Sequence, residues 1–276
     1  MTAVRPLVMG IVNVTPDSFF DGGQFADPAA AVAHARRLVA AGADVIDVGG
    51  ESSRPGAEPV PVHAEADRLL AVIEALASEV RVSVDTAKAE VANLAVDAGA
   101  TLINDITSSL HDVAADRGVG WVAMHMQGEP RTMQDRPTYR NVAADVTAYL
   151  VARAEAARQA GVDEVWIDPG IGFGKTAAHN WALLAAIGDM AATGWPVLVG
   201  TSRKTFLGAL CPGVDGEPAP VTDRLETSVA TAVRAAIDGA AMVRVHDVAE
   251  TVAALDAAWS DTSSDRQLQA AHQGDG

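Results

Sequence analysis

Thiol chemistry is nearly missing from this chain: Cys211 is the single cysteine among 276 residues. One sulfur cannot build an internal disulfide framework, and it offers no thiolate cluster for zinc. Basic residues are also scarce, 20 Lys and Arg against 36 Asp and Glu, for a formal charge of −16. That balance repels phosphate backbones and anionic bilayers at long range, so neither nucleic acid nor a membrane is an expected partner. A small anionic substrate stays compatible wherever the few cations gather, because the potential of a cleft follows nearby charges. No apolar run is long enough to span a bilayer, and Leu7-Val8-Met9 is reached without a signal-like apolar core; a cytoplasmic protein is expected. No charge block, Pro-rich hinge or Ser/Gly linker interrupts the chain, which predicts one domain over 1–261 followed by a disordered polar tail at 262–276.

What is present is apolar and periodic. Hydrophobic residues make up 49% of the chain, enough for a large core. Short runs rich in Val, Ile and Leu predict strands near 6–12, 44–48, 80–84, 101–103, 121–124, 164–167, 196–199 and 241–245. Ala-rich amphipathic segments fall between them, near 28–41, 63–78, 87–98, 111–117, 141–160, 178–192, 222–239 and 248–259, as crossovers between parallel strands require. Gly42, Gly99, Gly161, Gly194 and Gly239 each close a helical pattern just before a strand. Repeating helix, glycine, strand in this way predicts an α/β fold, a closed (β/α)8 TIM barrel in one domain, with an open doubly wound sheet as the alternative.

The apolar runs stop at polar residues: Asn13, Asp47, Asp85, Asn104, His125, Asp168, Lys204 and Arg244. Strands gain nothing from such ends unless the ends share a purpose, and in a barrel the C-terminal strand ends face the catalytic mouth. Asp85, Asn104, Asp168 and Lys204 together supply acceptors and donors suited to the edges of a planar heterocycle; the competing reading makes Asp85 and Asn104-Asp105 caps of the following helices. Lys204, Arg244, His246 and Arg54 could form an anion site, against the alternative that Arg203 and Arg244 pair with nearby acids on the surface. The segment Asp168-Pro-Gly-Ile-Gly-Phe-Gly-Lys-Thr176 invites comparison with a phosphate-binding P-loop, but Pro169 stands where that motif needs Gly. Its glycines instead suggest close approach to a flat ligand or a sharp turn, with Phe173 as an aromatic surface. His34, His63, His111 and His179 are scattered and read as surface or packing residues, and no transition-metal spacing stands out. Loops near 14–27 and 49–62 are long and rich in Gly, Pro, Ser and Asp, as mobile covers of a barrel mouth would be. The stretch at 211–220 reads as a surface excursion.

The strings Met9-Gly-Ile-Val-Asn-Val-Thr-Pro-Asp-Ser-Phe19, Asp47-Val-Gly-Gly-Glu-Ser-Ser-Arg-Pro-Gly56, Ser83-Val-Asp-Thr86, Asn104-Asp105, Met124-His125, Asp168 to Lys175, Ser202-Arg-Lys204 and Arg244-Val-His246 closely resemble the dihydropteroate synthase family, in the same order. The resemblance implies condensation of 6-hydroxymethyl-7,8-dihydropterin diphosphate with p-aminobenzoate, giving 7,8-dihydropteroate and pyrophosphate, in a homodimer that uses Mg²⁺. By carry-over, Asp85, Asn104, Asp168 and Lys204 would hold the pterin, with Met124 and Gly200 in the substrate-binding set. Asn13, Ser53, Arg54, Arg244 and His246 would hold the diphosphate, and Asn13 would also ligate Mg²⁺. Phe19, Pro55, Phe173, Lys204 and Thr205 would shape the p-aminobenzoate pocket, with Ser202 and Arg203 beside it and Asp17 and Asp21 helping a loop to close. Asp85, Asp168, Lys204, Arg244 and His246 would be the catalytic group. The chain departs from the family at Ile106-Thr-Ser-Ser109, where Val-Ser-Gly is usual; the departure predicts a slightly different pterin-facing loop. A noncatalytic pterin-binding paralogue and a pterin-dependent methyltransferase module are the rival readings.

Overall fold

In the computed structural model, which describes residues 4–15, 28–52, 58–212 and 216–273 (backbone only for 261–273), eight parallel strands form one sheet. They are β1 (Leu7–Asn13), β2 (Val45–Gly49), β3 (Arg81–Asp85), β4 (Leu102–Asp105), β5 (Gly120–Met124), β6 (Val165–Asp168), β7 (Leu198–Val199) and β8 (Met242–Val245). Ladder neighbours run β6-β5-β4-β3-β2-β1-β8-β7, and an Ile167–Val197 bridge joins the two ends into a nearly closed barrel. Around it lie α1 (Pro28–Ala40), α2 (Val62–Leu76), α3 (Ala89–Asp97), α4 (His111–Arg117), α5 (Val142–Ala160), α6 (Ala177–Ala185), α7 (Ile187–Ala191), α8 (Leu225–Ile237) and α9 (Val248–Gln273). The expected crossover at 178–192 is thus two helices, α6 and α7. The last helix continues to Gln273, through residues that the sequence pattern assigns to the tail. Among the described residues no helix is long and apolar enough to cross a membrane.

Why these segments form a barrel follows from the strand period of two. Val8, Val12, Ile46, Val48, Val82, Val84, Ile103 and Ile167 point outward and join the helices in one large cluster of buried residues. The alternate positions point inward, where Met9, Val45, Leu102, Val122, Trp166, Leu198 and Met242 fill the lower barrel. Further along the same inward faces come Asp47, Ser83, Asp85, Asn104, Asp168 and Arg244, in registers that set Asp47 beside Ser83 and Asp85 beside Asn104. The helix ends behave as the glycine pattern predicts: Gly161 caps α5 at φ 103, a left-handed conformation that glycine adopts without steric cost.

Asn104 and Asp105 are adjacent yet face opposite sides of β4, and this separates the two readings of that pair. Asp105 is a turn anchor: its carboxylate accepts from Thr107 N and Oγ1, Ser109 N, Leu110 N and the Trp121 indole. The same turn carries the departure from the family pattern. Ser108, standing where glycine is usual, has φ 54 and is buried. A left-handed residue with a Cβ costs about 1–2 kcal/mol. Two contacts offset it: Ser108 Oγ donates to Met124 O at 2.7 Å, and Arg153 donates to Ser108 O. Ser108→Ala keeps the strained φ and loses the first contact, so it should lower unfolding free energy by about 1–2 kcal/mol. Ser108→Gly loses the contact but relieves the strain, and denaturant titration should find it closer to the parent protein than Ser108→Ala is.

Candidate active site

A cavity of about 980 Å³ opens at the C-terminal ends of the strands. Its lining includes Asn13, Asp85, Phe173, Gly200, Ser202, Arg203, Lys204, Thr205, Arg244 and His246, which brings together most of the predicted site. Asn104, Met124 and Asp168 lie buried on the inward strand faces. Phe19, Asp21, Ser53, Arg54 and Pro55, with Asp17, fall outside the described residues.

The floor is organised around Asp47, which is fully buried. One of its oxygens, Oδ2, accepts from Arg244 Nε at 2.6 Å and from Asn104 Nδ2 at 2.9 Å. Arg244 Nη2 reaches Asp85 Oδ2 at 2.8 Å. Arg244 therefore pairs with acids, as the competing reading proposed, but inside the barrel mouth rather than on the surface. Asp47 is also no strand end, since Val48 and Gly49 continue β2 beyond it. Asp85 caps nothing: α3 begins at Ala89, and its cap residue Lys88 makes no side-chain cap bond.

Electrostatics at this floor are set by burial. Desolvation pushes the Asp85 carboxyl up to about 7, while the Arg244 guanidinium pulls it down and Asp47 pushes it further up. Asp168 is also raised by burial, against the pull of Lys204, a hydrogen bond from Gly170 N at 2.7 Å, and Arg244. Lys204 is lowered by burial to about 8, with Asp168 opposing the shift. Lys175, in the same lining, is lowered by burial to about 7, so two protonatable carboxyls and two easily neutralised ammoniums share one pocket, a pattern typical of reactive sites.

Several predicted residues have different settings from those the sequence suggests. Lys204 does not end β7; it lies beyond Val199 and opens a 3-10 turn, Thr205–Leu210, reaching back to donate to Ile171 O with its Nζ 4.9 Å from the Phe173 ring centroid. Arg203 commits its guanidinium to Asp247, with Nε at 3.1 Å and Nη2 at 2.5 Å. His246 faces Ser202, Nδ1 to Oγ at 2.9 Å, and its backbone N–H also donates to that hydroxyl. Two glycines of the 168–176 segment pack against protein backbone: a Cβ on Gly170 would lie 1.9 Å from His125 O, and one on Gly174 would lie 2.4 Å from Gln127 O, whereas Gly172 lines the cavity beside the Lys204 side chain. Thr176 is the cap of α6 in a reciprocal pair with His179, which accounts for both residues and leaves no phosphate loop.

Sequence reasoning missed other groups. Lys175 lines the cavity while only 3% exposed. Glu51, at the root of the β2–α2 loop, binds Lys88, which also holds the fully buried Glu65 at 2.5 Å; Glu65 accepts from Thr86 Oγ1 at 2.7 Å as well. Only Lys175 had a signal in sequence, its place in a glycine-rich segment; Glu65 and Lys88 sit in ordinary helical context.

Comparison with known proteins agrees with this geometry. The sequence profile of the family described as pterin binding enzyme matches residues 9–246. The dihydropteroate synthase of Escherichia coli strain K12 is 46% identical over 259 residues, covering 91% of this chain and 90% of that protein. Among solved structures, Xanthomonas albilineans dihydropteroate synthase with 4-aminobenzoic acid superposes with a TM-score of 0.85 at 47% identity, covering 95% of both chains. The same organism's enzyme in complex with 7,8-dihydropteroate gives a TM-score of 0.81 at 44% identity, again over 95% of both chains. An inward polar row at the strand ends, buried cations beside it, and this likeness along nearly the full chain place the protein in the pterin-binding enzyme family, among the dihydropteroate synthases.

Proposed function

We propose that the chain condenses 6-hydroxymethyl-7,8-dihydropterin diphosphate with p-aminobenzoate to give 7,8-dihydropteroate and pyrophosphate, a step of folate synthesis. The observation that carries this reading is the convergence of Asp85, Asn104, Asp168 and Arg244 on one barrel mouth. Carboxylates and a carboxamide side by side match the amino and lactam edges of a pterin, and a pocket closed below by apolar side chains suits its flat ring.

The reaction breaks the carbon–oxygen bond between the pterin methylene and the diphosphate, and the electron pair leaves with pyrophosphate. The amine nitrogen then bonds to the methylene carbon and releases a proton, so a strong base is not required to generate the nucleophile. Asp85 and Asp168 favour the electron-poor pterin that forms as the bond breaks, while Arg244 and His246 favour the departing anion. Arg244 begins in contact with Asp47 and Asp85, so its charge is already oriented at the floor when substrate arrives.

Mg²⁺ fits as a partner of the diphosphate. Asn13 closes β1 at the mouth and offers an amide oxygen, a hard donor, and its Oδ1 would lie 3.4 Å from a Cβ on Gly49. Among the described residues no three His, Cys, Asp or Glu side chains gather as a protein-only cage, so substrate oxygens would complete the coordination. When bound, the ion supplies charge compensation to the leaving pyrophosphate. A second copy of the chain is the expected partner: Leu225, Val229, Val233 and Ile237 recur every fourth position along α8 and, with Ala254 of α9, line an apolar groove on the outside of the barrel.

Three measurements test this reading. Pyrophosphate release should require both p-aminobenzoate and Mg²⁺, and Arg244→Ala should cut kcat/KM for the diphosphate substrate by about 100-fold; pterin binding without release would support the noncatalytic paralogue. Second, pterin N–H donors need the ionised form of Asp85, so affinity for the diphosphate substrate should rise as pH passes about 7 and weaken above about 8, as Lys204 loses its proton. Arg244→Met removes the charge that opposes burial and should move the acid limb to higher pH, whether followed by calorimetry or by KM. For the ligand-free fold the sign is reversed: a carboxyl raised on folding favours the folded state at low pH, and that contribution is lost as pH rises from the ordinary 3.8 through about 7. Third, sedimentation velocity should report a dimer, and Val233→Arg should give a monomer.

A further inference from the structure

The loop between β6 and α6 carries a hydrogen-bond pattern that the proposed chemistry leaves unused. Four consecutive carbonyls each receive a side-chain donor: Ile171 O from Lys204 Nζ, Gly172 O from Gln134 Nε2 at 2.7 Å, Phe173 O from Lys175 Nζ at 2.9 Å, and Gly174 O from the Tyr139 hydroxyl at 2.8 Å. The Gly172 amide is also engaged, donating to Asn180 Oδ1 at 2.8 Å. Loop carbonyls at a cavity mouth are ordinarily left to water, so four fixed by four different side chains describe a platform whose path is set before any ligand arrives.

Lys175 is the buried member of the set. Its ammonium meets three acceptors, Phe173 O, His125 O at 3.0 Å and His125 Nδ1 at 3.1 Å, one for each N–H. His125 can accept on Nδ1 only when that nitrogen is unprotonated, and burial together with the Lys175 charge lowers the imidazole to about 4, so it stays neutral. Gln134 and Tyr139 both come from the segment joining β5 to α5, and the His125 ring lies 5.9 Å from that of Tyr139. The aromatic surface this platform presents to the cavity is the half-buried Phe173 ring, with Gly172 and Lys175 in the lining beside it.

We infer that Lys175 and Tyr139 are positioning residues for Phe173, which act through the loop carbonyls and thereby set the fit of the arylamine. The inference rests on the proposed reading that the amine substrate enters against Phe173. Asp85, Asn104 and Arg244 stand on strands of the barrel, and the two other polar site residues, Asp168 and Lys204, meet this loop at Gly170 N and Ile171 O, ahead of the carbonyls that Lys175 and Tyr139 hold, so pterin recognition should change less than arylamine fit when the loop shifts.

Steady-state kinetics on the full chain, with each substrate varied separately and melting temperature recorded, decides the matter. Tyr139→Phe removes one donor and should raise KM for p-aminobenzoate about threefold; Lys175→Met removes three and should raise it about tenfold. KM for the pterin diphosphate should stay within about twofold in both, kcat should change less than the amine KM, and the double variant should fall short of the product of the single effects, because both act on one loop. An amine KM unchanged in both folded variants, or equal rises for both substrates, would overturn the inference. If Lys175→Met does not melt cooperatively, Tyr139→Phe decides alone. Absence of wild-type turnover would sink the proposed function and this inference with it, whereas normal turnover with an unshifted amine KM sinks the inference only.

Discussion

The site depends on one buried carboxylate, Asp47. An anion that is fully enclosed within a barrel is tolerable only when it is paired and hydrogen-bonded, and here two partners from distant parts of the chain share the same oxygen. Arg244 from β8 and Asn104 from β4 are thereby fixed on either side of β2 and β3, and Arg244 in turn reaches Asp85. The pairing brings two of the site's three floor carboxylates and its arginine into one chain of contacts, with Asp168 placed separately by β6. Its cost is desolvation, the main cause of the upward push on Asp85, which the Arg244 charge opposes and the Asp47 charge adds to.

A second layer of order surrounds this floor and has a different character. Lys88 links Glu51 to Glu65 beneath the root of the β2–α2 loop, and Asp105 gathers the turn after β4 with five donors. Of these groups Glu51 alone is in the cavity lining. They fix the backbone from which the floor residues project, so a barrel with short strands can still hold its polar side chains in register.

Much of this was legible in the sequence because strand period, helix period and glycine stops are local signals. Asp85 and Asp168 could be placed at strand ends, and Asn104 within one residue of one, from their apolar runs alone. Local signals fail where a residue's meaning depends on a distant partner. Asp47 and Lys204 read as strand ends like the others, yet one lies inside β2 and the other beyond β7, because a run of apolar residues does not mark where ladder bonding stops. Nothing in Asn104-Asp105 distinguishes a site residue from a turn anchor; only the pleat, which sends neighbours to opposite faces, does so. The glycines of the 168–176 segment announced close approach without naming what approached, and Tyr139 and Gln134 gave no signal, since their partners are carbonyls more than thirty residues away.

The barrel's ring of ladders is uneven. Seven of its eight seams are paired strand to strand, whereas β6 and β7 meet through the Ile167–Val197 bridge and a bond from Ile167 N to Pro196 O at 3.0 Å. Mechanically the cylinder is a sheet rolled until its edges touch, and the seam where they touch is the most thinly bonded. Asp168 stands on one lip of that seam and Gly200 follows the other, so the fewest backbone bonds hold the cavity together at this wall. Amide protons along β7 would then be the first of the strands to exchange with solvent, and a ligand bridging the two lips would act as the missing stitch.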